Sequence, residues 1–192
     1  SKDKIYVLAQ ISTGVANEPV PVLMYKTENS FSTVSSLTLP NDADPGISAN
    51  DFTRGQSFYN LMLEVDPNND AILYAGGIDL FRSANSGSSW SQISHWTGNY
   101  GYSYVHADQH AFVFHPTNSN SALSGSDGGV FLCTSLSTAN TNSNAFLEVN
   151  NNYITTQFYK AAIGQEVSNE KLLAGAQDNG TQLINNASAG SN

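Results

Sequence analysis

Apolar residues along this chain come in runs of four to eight, rich in Val, Ile, Leu, Phe and Tyr, and clusters of Asn, Gly, Ser and Pro close off each run. The spacing of an amphipathic helix is nearly absent. Such a pattern predicts many short strands joined by turns, an all-β fold. The predicted strands are 5–10, 20–25, 58–65, 71–75, 79–83, 90–94, 103–114, 122–125, 130–134, 146–149, 157–163, 171–175 and 181–184. The long polar stretches 41–51 and 134–145 read as surface excursions, not as linkers between domains.

The runs also repeat. Ala71-Ile72-Leu73-Tyr74-Ala75-Gly76-Gly77 aligns with Ser121-Ala122-Leu123-Ser124-Gly125-Ser126-Asp127 and with Lys171-Leu172-Leu173-Ala174-Gly175-Ala176-Gln177, so that Leu73, Leu123 and Leu173 stand 50 residues apart. Asp66-Pro67-Asn68-Asn69 before the first copy matches His115-Pro116-Thr117-Asn118 before the second. A four-strand unit of ~40–50 residues in tandem is the signature of a β-propeller blade. Residues 5–10 align with the second strand of a unit, and the last predicted strand, 181–184, is a third strand. The order is therefore three strands, two full units, then three strands. Those ends overlap instead of complementing each other, so the expectation is about three to four blades of a larger ring of six to eight. The expected divisions are a partial blade 1–50, blades 51–100 and 101–152, and a partial blade 153–192. Blade edges left bare should pair with another propeller segment that completes the ring.

Composition narrows the class. Ser, Thr and Asn make up 60 of 192 residues while charged residues are 12%, so solubility comes from hydroxyls and amides, a habit of secreted β-rich proteins. A net charge of −9 with two arginines argues against a nucleic-acid partner. No apolar run approaches the ~20 residues of a spanning helix, so no membrane partner is expected. The single cysteine, Cys133, rules out an internal disulfide or a Cys-based metal cluster and reads as a small buried apolar residue.

Within the second unit, Phe81-Arg82-Ser83-Ala84-Asn85-Ser86-Gly87-Ser88-Ser89-Trp90 resembles the Asp-box hairpin of sialidase-type propellers, with Asn85 in place of Asp and Ser89 in place of Thr. The chemistry asks for a short acceptor side chain on the turn's own amides, a glycine at positive φ and an aromatic anchor, which Ser83, Asn85, Gly87 and Trp90 supply. Tyr25–Ser32 is a weaker echo without the glycine, and Leu132-Cys133-Thr134-Ser135 is a third, interrupted by a polar insertion. Together with Gln56-Ser57-Phe58-Tyr59, His106-Ala107-Asp108-Gln109-His110, Gly125-Ser126-Asp127-Gly128-Gly129 and Gly175-Ala176-Gln177-Asp178-Asn179-Gly180, these motifs resemble large secreted bacterial Asp-box (BNR-repeat) propellers, similar to xyloglucanase-like glycoside hydrolases and sortilin-type propellers. The likeness runs from about Gln56 to Thr181. It speaks to fold more than to function, since such propellers serve as enzymes, receptors and assembly factors.

Three constellations could carry chemistry. If 106–110 lies on a strand, alternation puts His106, Asp108 and His110 on one face, where they could hold a divalent cation or form a hydrogen-bonded network. No other cofactor is expected. Asp127 and Asp178 occupy matching Gly-containing turns. The resemblance implies that a carboxylate in such a turn acts in glycoside hydrolysis, which makes Asp127 a catalytic candidate, with Asp108 as a second carboxyl. Hydrolysis needs two carboxyls roughly 5 Å apart for retention or 6–9 Å for inversion, whereas Asp before Gly is also a plain turn residue that bonds its own backbone. Trp96, Tyr100, Tyr102 and Tyr104 crowd one loop and could stack on sugar rings, or the tyrosines could pack one side of the following strand. The leading expectation is an extracellular propeller module that recognises a glycan or a protein and is not catalytic on its own. The alternative is a fragment of a secreted polysaccharide-degrading glycoside hydrolase of endo-glucanase or xyloglucanase type.

Overall fold

The computed structural model describes residues 4–11, 22–48, 51–153, 156–164 and 171–185. The chain divides into two compact units, Ser1–Asn150 and Asn151–Asn192. The first unit holds three antiparallel sheets whose strands follow one another in chain order. They are β1 (Ile5–Gln10), β2 (Val22–Thr27) and β3 (Ser35–Ser36); β4 (Met62–Val65), β5 (Leu73–Gly76), β6 (Leu80–Ser83) and β7 (Ser91–Gln92); and β8 (Gln109–His115), β9 (Asn118–Ser126), β10 (Gly129–Cys133) and β11 (Phe146–Glu148). The second unit holds a three-stranded meander of β12 (Phe158–Ile163), β13 (Lys171–Ala176) and β14 (Thr181–Asn185), with a register shift between Phe158 and Lys160.

The repeated leucines all fall on second strands but not at one register, since Ala122, opposite Phe114 and Cys133, is the residue that matches Leu73. Leu73 lies opposite Val65 and Ser83, Leu123 opposite Val113 and Leu132, and Leu173 opposite Ala162 and Leu183. In the first unit β4 approaches both β1 and β8, and β4 and β8, the first strands of their four-stranded sheets, stand as the inner strands of consecutive propeller blades do. Each meeting of sheets has its own core. Val22, Phe52 and Phe81 pack with Leu8, Leu39 and Trp90 between the first and second sheets. Met62, Tyr74, Phe112, Phe131 and Phe146 pack between the second and third, where Tyr74 stacks on Phe112 at 4.9 Å. Each such side chain removed from water contributes about 1.5–3 kcal/mol. The second sheet is covered on both faces, so Leu73 and Tyr74 are both buried; in the third sheet Ala122, which matches Leu73, is buried, while Leu123, which matches Tyr74, is 41% exposed.

Two hairpins share one hydrogen-bond frame. In the second sheet Ser83 Oγ accepts from the backbone N–H of Asn85 (3.3 Å) and Gly87 (2.9 Å), while Asn85 Oδ1 accepts from Ser89 N–H at 2.9 Å. In the first sheet Thr27 Oγ1 accepts from Asn29 (3.4 Å) and Phe31 (3.0 Å), while Asn29 Oδ1 accepts from Thr33 at 2.8 Å. Gly87 has φ +80°, and Phe31, its counterpart, has φ +69°. The echo without glycine therefore keeps the same geometry with an L residue forced into left-handed backbone.

Several expectations about elements change. Strand 58–65 begins only at Met62, because 56–60 form turns in which Tyr59 and Asn60 both donate N–H to Gln56 O. Strand 103–114 begins only at Gln109, because Asp108 sits at φ +65° and breaks the alternation. The two-serine strand β3 has no apolar pattern to announce it. Stretch 134–145 contains a 3₁₀ turn, Leu136–Thr141, that sinks Leu136 and Ala139 into the core, so it is not only a surface excursion. The first residues of predicted strand 20–25 lie outside the described residues, and its visible part belongs to β2.

Candidate functional site

The turns after β5 and β9 are equivalent in their sheets and lie at one end of the first unit; the hairpin Ser83–Trp90 lies at the other. Gln109 N–H, at the start of β8, donates to Gly77 O in the β5–β6 turn at 2.9 Å and ties the two blades together there. The buried Gln109 side chain finishes the joint, donating to Ile78 O and His106 O and accepting from Ser124 Oγ. Two polar stations stand on this end.

The inner station is exposed. Asp127, from the β9–β10 turn, accepts His110 Nε2–H at 2.7 Å and Tyr59 Oη–H at 2.9 Å, and the Tyr59 ring meets His110 edge-on at 4.7 Å. Asp127 therefore does not cap its own turn. Asn150 does so, accepting from Val130 N–H at 2.7 Å and donating to Gly128 O at 3.0 Å. Gly128 and Gly129 are needed because His106 and the Asn150 amide lie where a Cβ would stand, and Gly129 has φ +109°. Asp108 accepts from Asn60 Nδ2 at 2.7 Å, and its backbone carbonyl accepts from Asp127 N–H at 3.3 Å.

His106, Asp108 and His110 do not converge. The left-handed Asp108 separates them: His106 Nδ1 lies 3.1 Å from Ala107 O, Asp108 turns to Asn60 and His110 to Asp127. Among the described residues no three His, Cys, Asp or Glu side chains are grouped to hold a metal ion. Asp127 and Asp108 are adjacent through their backbones, but their carboxyls take different partners. Asp178, in the second unit, accepts from its neighbour Gln177 in an exposed turn.

The outer station is enclosed. Arg54 forks onto Asp42 (Nε at 3.2 Å, Nη2 at 2.9 Å), reaches Asp44 at 2.5 Å and lies 4.0 Å from Asp79. Asp44 also accepts Trp96 Nε1–H at 3.0 Å and faces His95 Nε2 at 3.2 Å. His95 Nδ1 accepts the N–H groups of Thr97 (3.2 Å) and Asn99 (3.4 Å), so its proton sits on Nε2 and points at Asp44. The Trp96 hydrogen bond, together with Arg54, holds Asp44 down at about 2. Asp79 is fully buried. Its Oδ2 accepts Gln92 Nε2–H at 3.1 Å and its Oδ1 makes no hydrogen bond within range. Burial first, then the neighbouring Asp42, pushes it up to about 8.

Loop 51–60 joins the stations, offering Arg54 to the outer and Tyr59 and Asn60 to the inner. It is wound by tight turns, with Gly55 N–H on Asp51 Oδ1 at 2.6 Å. The segment after β3 clamps the outer edge of the second sheet. Thr38 O accepts Trp90 Nε1–H at 2.9 Å, and Ala43 N–H donates to Gln92 Oε1 at 2.8 Å.

Of the four candidate aromatics, Trp96 and Tyr100 come together around the buried His95. Tyr100 meets it edge-on at 5.1 Å, and both rings stay open to solvent, at 41% and 57%. Arg54 lies over the Trp96 ring at 5.7 Å. Tyr104 packs edge-on against Phe131 at 5.8 Å, and Tyr102 is half-buried. None of the three tyrosines lies on a strand, so they do not pack one side of β8. Asp42, Asp44, Arg54, Asp79, His95 and Tyr59 were not foreseen. The one available hint was Arg54, one of only two arginines, close in sequence to three aspartates.

No protein-family model and no curated protein matches the chain. Among solved structures it is similar to the GH74 xyloglucanase from Xanthomonas campestris, with a TM-score of 0.52 and 16% identity over 91% of this chain and 25% of that one. It is similar also to the GH74 enzyme from Niastella koreensis, with a TM-score of 0.51 and 18% identity over 96% of this chain and 27% of that one. Identities this low establish fold alone, and the chain spans about a quarter of each neighbour's length. What it shares with them is a portion of a β-propeller.

Proposed function

We propose that the chain is part of an extracellular β-propeller that recognises a glycan through the Trp96–Tyr100 surface. The observation that carries this reading is the pair of open rings set around buried His95 and held by the Asp44–Arg54 network. Rigid, half-exposed aromatic faces with amide and hydroxyl neighbours suit sugar rings, because stacking needs a fixed plane. Secretion accords with the hydroxyl- and amide-rich composition. Hairpin Ser83–Trp90 serves in this reading as an Asp-box that locks its blade from the end opposite the ligand, and Thr27–Thr33 as a second one. Further blades, from another propeller segment, complete the ring.

Calorimetric titration of the full chain with a xyloglucan oligosaccharide, beside anionic oligosaccharides, tests the reading. Binding should weaken about tenfold, about 1.4 kcal/mol, in Trp96→Ala and in Tyr100→Ala. Failure of every probe to bind, or binding indifferent to both substitutions, would sink it.

A second reading, a fragment of a secreted polysaccharide hydrolase, draws on the exposed Asp127 with its two hydrogen-bond donors and on the fold it shares with xyloglucanases. Its partner carboxyl would come from other blades, because Asp108 is tied to Asn60. Reducing-sugar release from xyloglucan that disappears in Asp127→Asn would favour this reading over the first.

A further inference from the structure

We propose that Asp79 is the buried positioning residue of the Trp96–Tyr100 surface, and that loss of its proton releases that surface. The consequence for recognition rests on the reading above; the role of Asp79 does not.

The groups acting on Asp79 come from three neighbouring elements. The segment after β3 brings Asp42 and Asp44, loop 51–60 brings Arg54, and the loop after β7 brings the Trp96 backbone N–H, while His95, the Trp96 indole and Tyr100 join the group through Asp44. Asp42 and Asp79 have no side-chain exposure, and His95 has almost none. One guanidinium is the only cation in this set, and its short contacts all go to Asp42 and Asp44. His95 adds no charge, because its Nδ1 is an acceptor for backbone N–H groups. With Asp79 protonated the group carries one net negative charge; with Asp79 ionised it carries two, away from water.

Geometry also explains why Asp79 is the member that keeps its proton. Its Oδ2 has the neutral Gln92 amide, its Oδ1 makes no hydrogen bond within range, and the one further donor acting on it, the Trp96 backbone N–H, is also neutral. Arg54, at 4.0 Å, is outside hydrogen-bond range. Asp42 and Asp44, in contrast, each receive the guanidinium directly. Burial and Asp42 raise Asp79 to about 8, against the pull of the Trp96 backbone N–H and Arg54. When the proton leaves, repulsion acts on the pieces that can separate, the segment carrying Asp42 and Asp44 and the loop carrying Trp96. Trp96 feels this directly, since its indole N–H is bound to Asp44.

The chain has two tryptophans, which supplies a built-in control. Trp90 donates to Thr38 O at the opposite end of the same sheet. Fluorine NMR of the full chain labelled with 5-fluorotryptophan, from pH 6 to 9.5, should show the Trp96 resonance moving with a midpoint of about 8 while Trp90 stays still. Asp79→Asn, which keeps the shape and the Gln92 partner, should abolish the movement. Asp42→Asn should lower the midpoint by removing a facing charge. A Trp96 resonance that does not move, or one that still titrates in Asp79→Asn, overturns the proposal.

A second arm separates this idea from the glycan reading. Near pH 9 about a tenth of the molecules keep a proton with a midpoint of about 8, so a xyloglucan oligosaccharide should bind about tenfold more weakly than at pH 6.5. That loss should be absent in Asp79→Asn. If the oligosaccharide binds at neither pH, the recognition reading falls and the fluorine titration alone decides the role of Asp79.

Discussion

The two stations at one end of the first unit use the same residue types to opposite effect. Around Arg54, three carboxyls and a histidine are drawn largely out of water, and donors from Arg54, His95 and the edge of Trp96 converge on Asp42 and Asp44. Around Asp127, a carboxylate, a histidine and a tyrosine stand in solvent, with the His110 and Asp127 side chains about a third exposed. Desolvation makes the difference. In a dry place an unbalanced charge costs several kcal/mol, so the group becomes a frame and one acid stays protonated. In a wet place the same contacts are nearly neutral energetically, and the groups remain available to a ligand.

Arg54→Ala is the strongest way to break this comparison. It strands Asp42 and Asp44 without their cation and should cost about 3–5 kcal/mol in urea unfolding. Asp79→Asn should act in the other direction. The folded-state value of about 8 lies above the ordinary carboxylate range, so the folded chain holds this proton more tightly than the unfolded one. That contribution is complete below about pH 4 and is lost as the pH climbs to about 8. Asp79→Asn should therefore gain about 1–4 kcal/mol at pH 9 and little at pH 4, by urea melts at the two values. Asp44, held at about 2, works on the acid side, where its stabilisation is lost as the pH falls from about 4 towards 2.

Asn60→Ala, on the loop shared by both stations, leaves Asp108 without its donor and should cost about 1–2 kcal/mol. His110→Ala removes an exposed pair and should move stability by no more than about 1 kcal/mol. A loss near that of Arg54→Ala would show that the inner station is also a frame, and the contrast would collapse.

How far the sequence discloses this protein varies from element to element. The repeated Leu73, Leu123 and Leu173 locate three second strands because apolar runs closed by Gly-containing turns are local signals, but they miss the register, since Ala122 and not Leu123 matches Leu73. Hairpin 83–90 is legible from Ser83, Asn85, Gly87 and Trp90, since its bonds join residues two to four apart. Its twin at Thr27–Thr33 is half legible. The Thr27 and Asn29 acceptors are visible, but Phe31 at φ +69° is not, because only the closed frame holds an L residue there. Phe31→Gly should relieve that strain by about 1 kcal/mol. Alternation misleads at 103–114 for the same reason, since one left-handed residue, Asp108, sends His106 and His110 to different partners.

From the sequence alone come the strand-and-turn character, the 50-residue period, the all-β partial propeller and the aromatic loop 96–104, all consequences of short-range patterns of burial and turn chemistry. Only the tertiary structure decided the rest. It chose Trp96 and Tyr100 from the four aromatics, gave Asp127 to His110 and Tyr59, and gathered Asp42, Asp44, Arg54, Asp79 and His95 into one buried group. Those partners lie up to 68 residues apart in the chain. Charge balance and desolvation act through space, so no local pattern carries them.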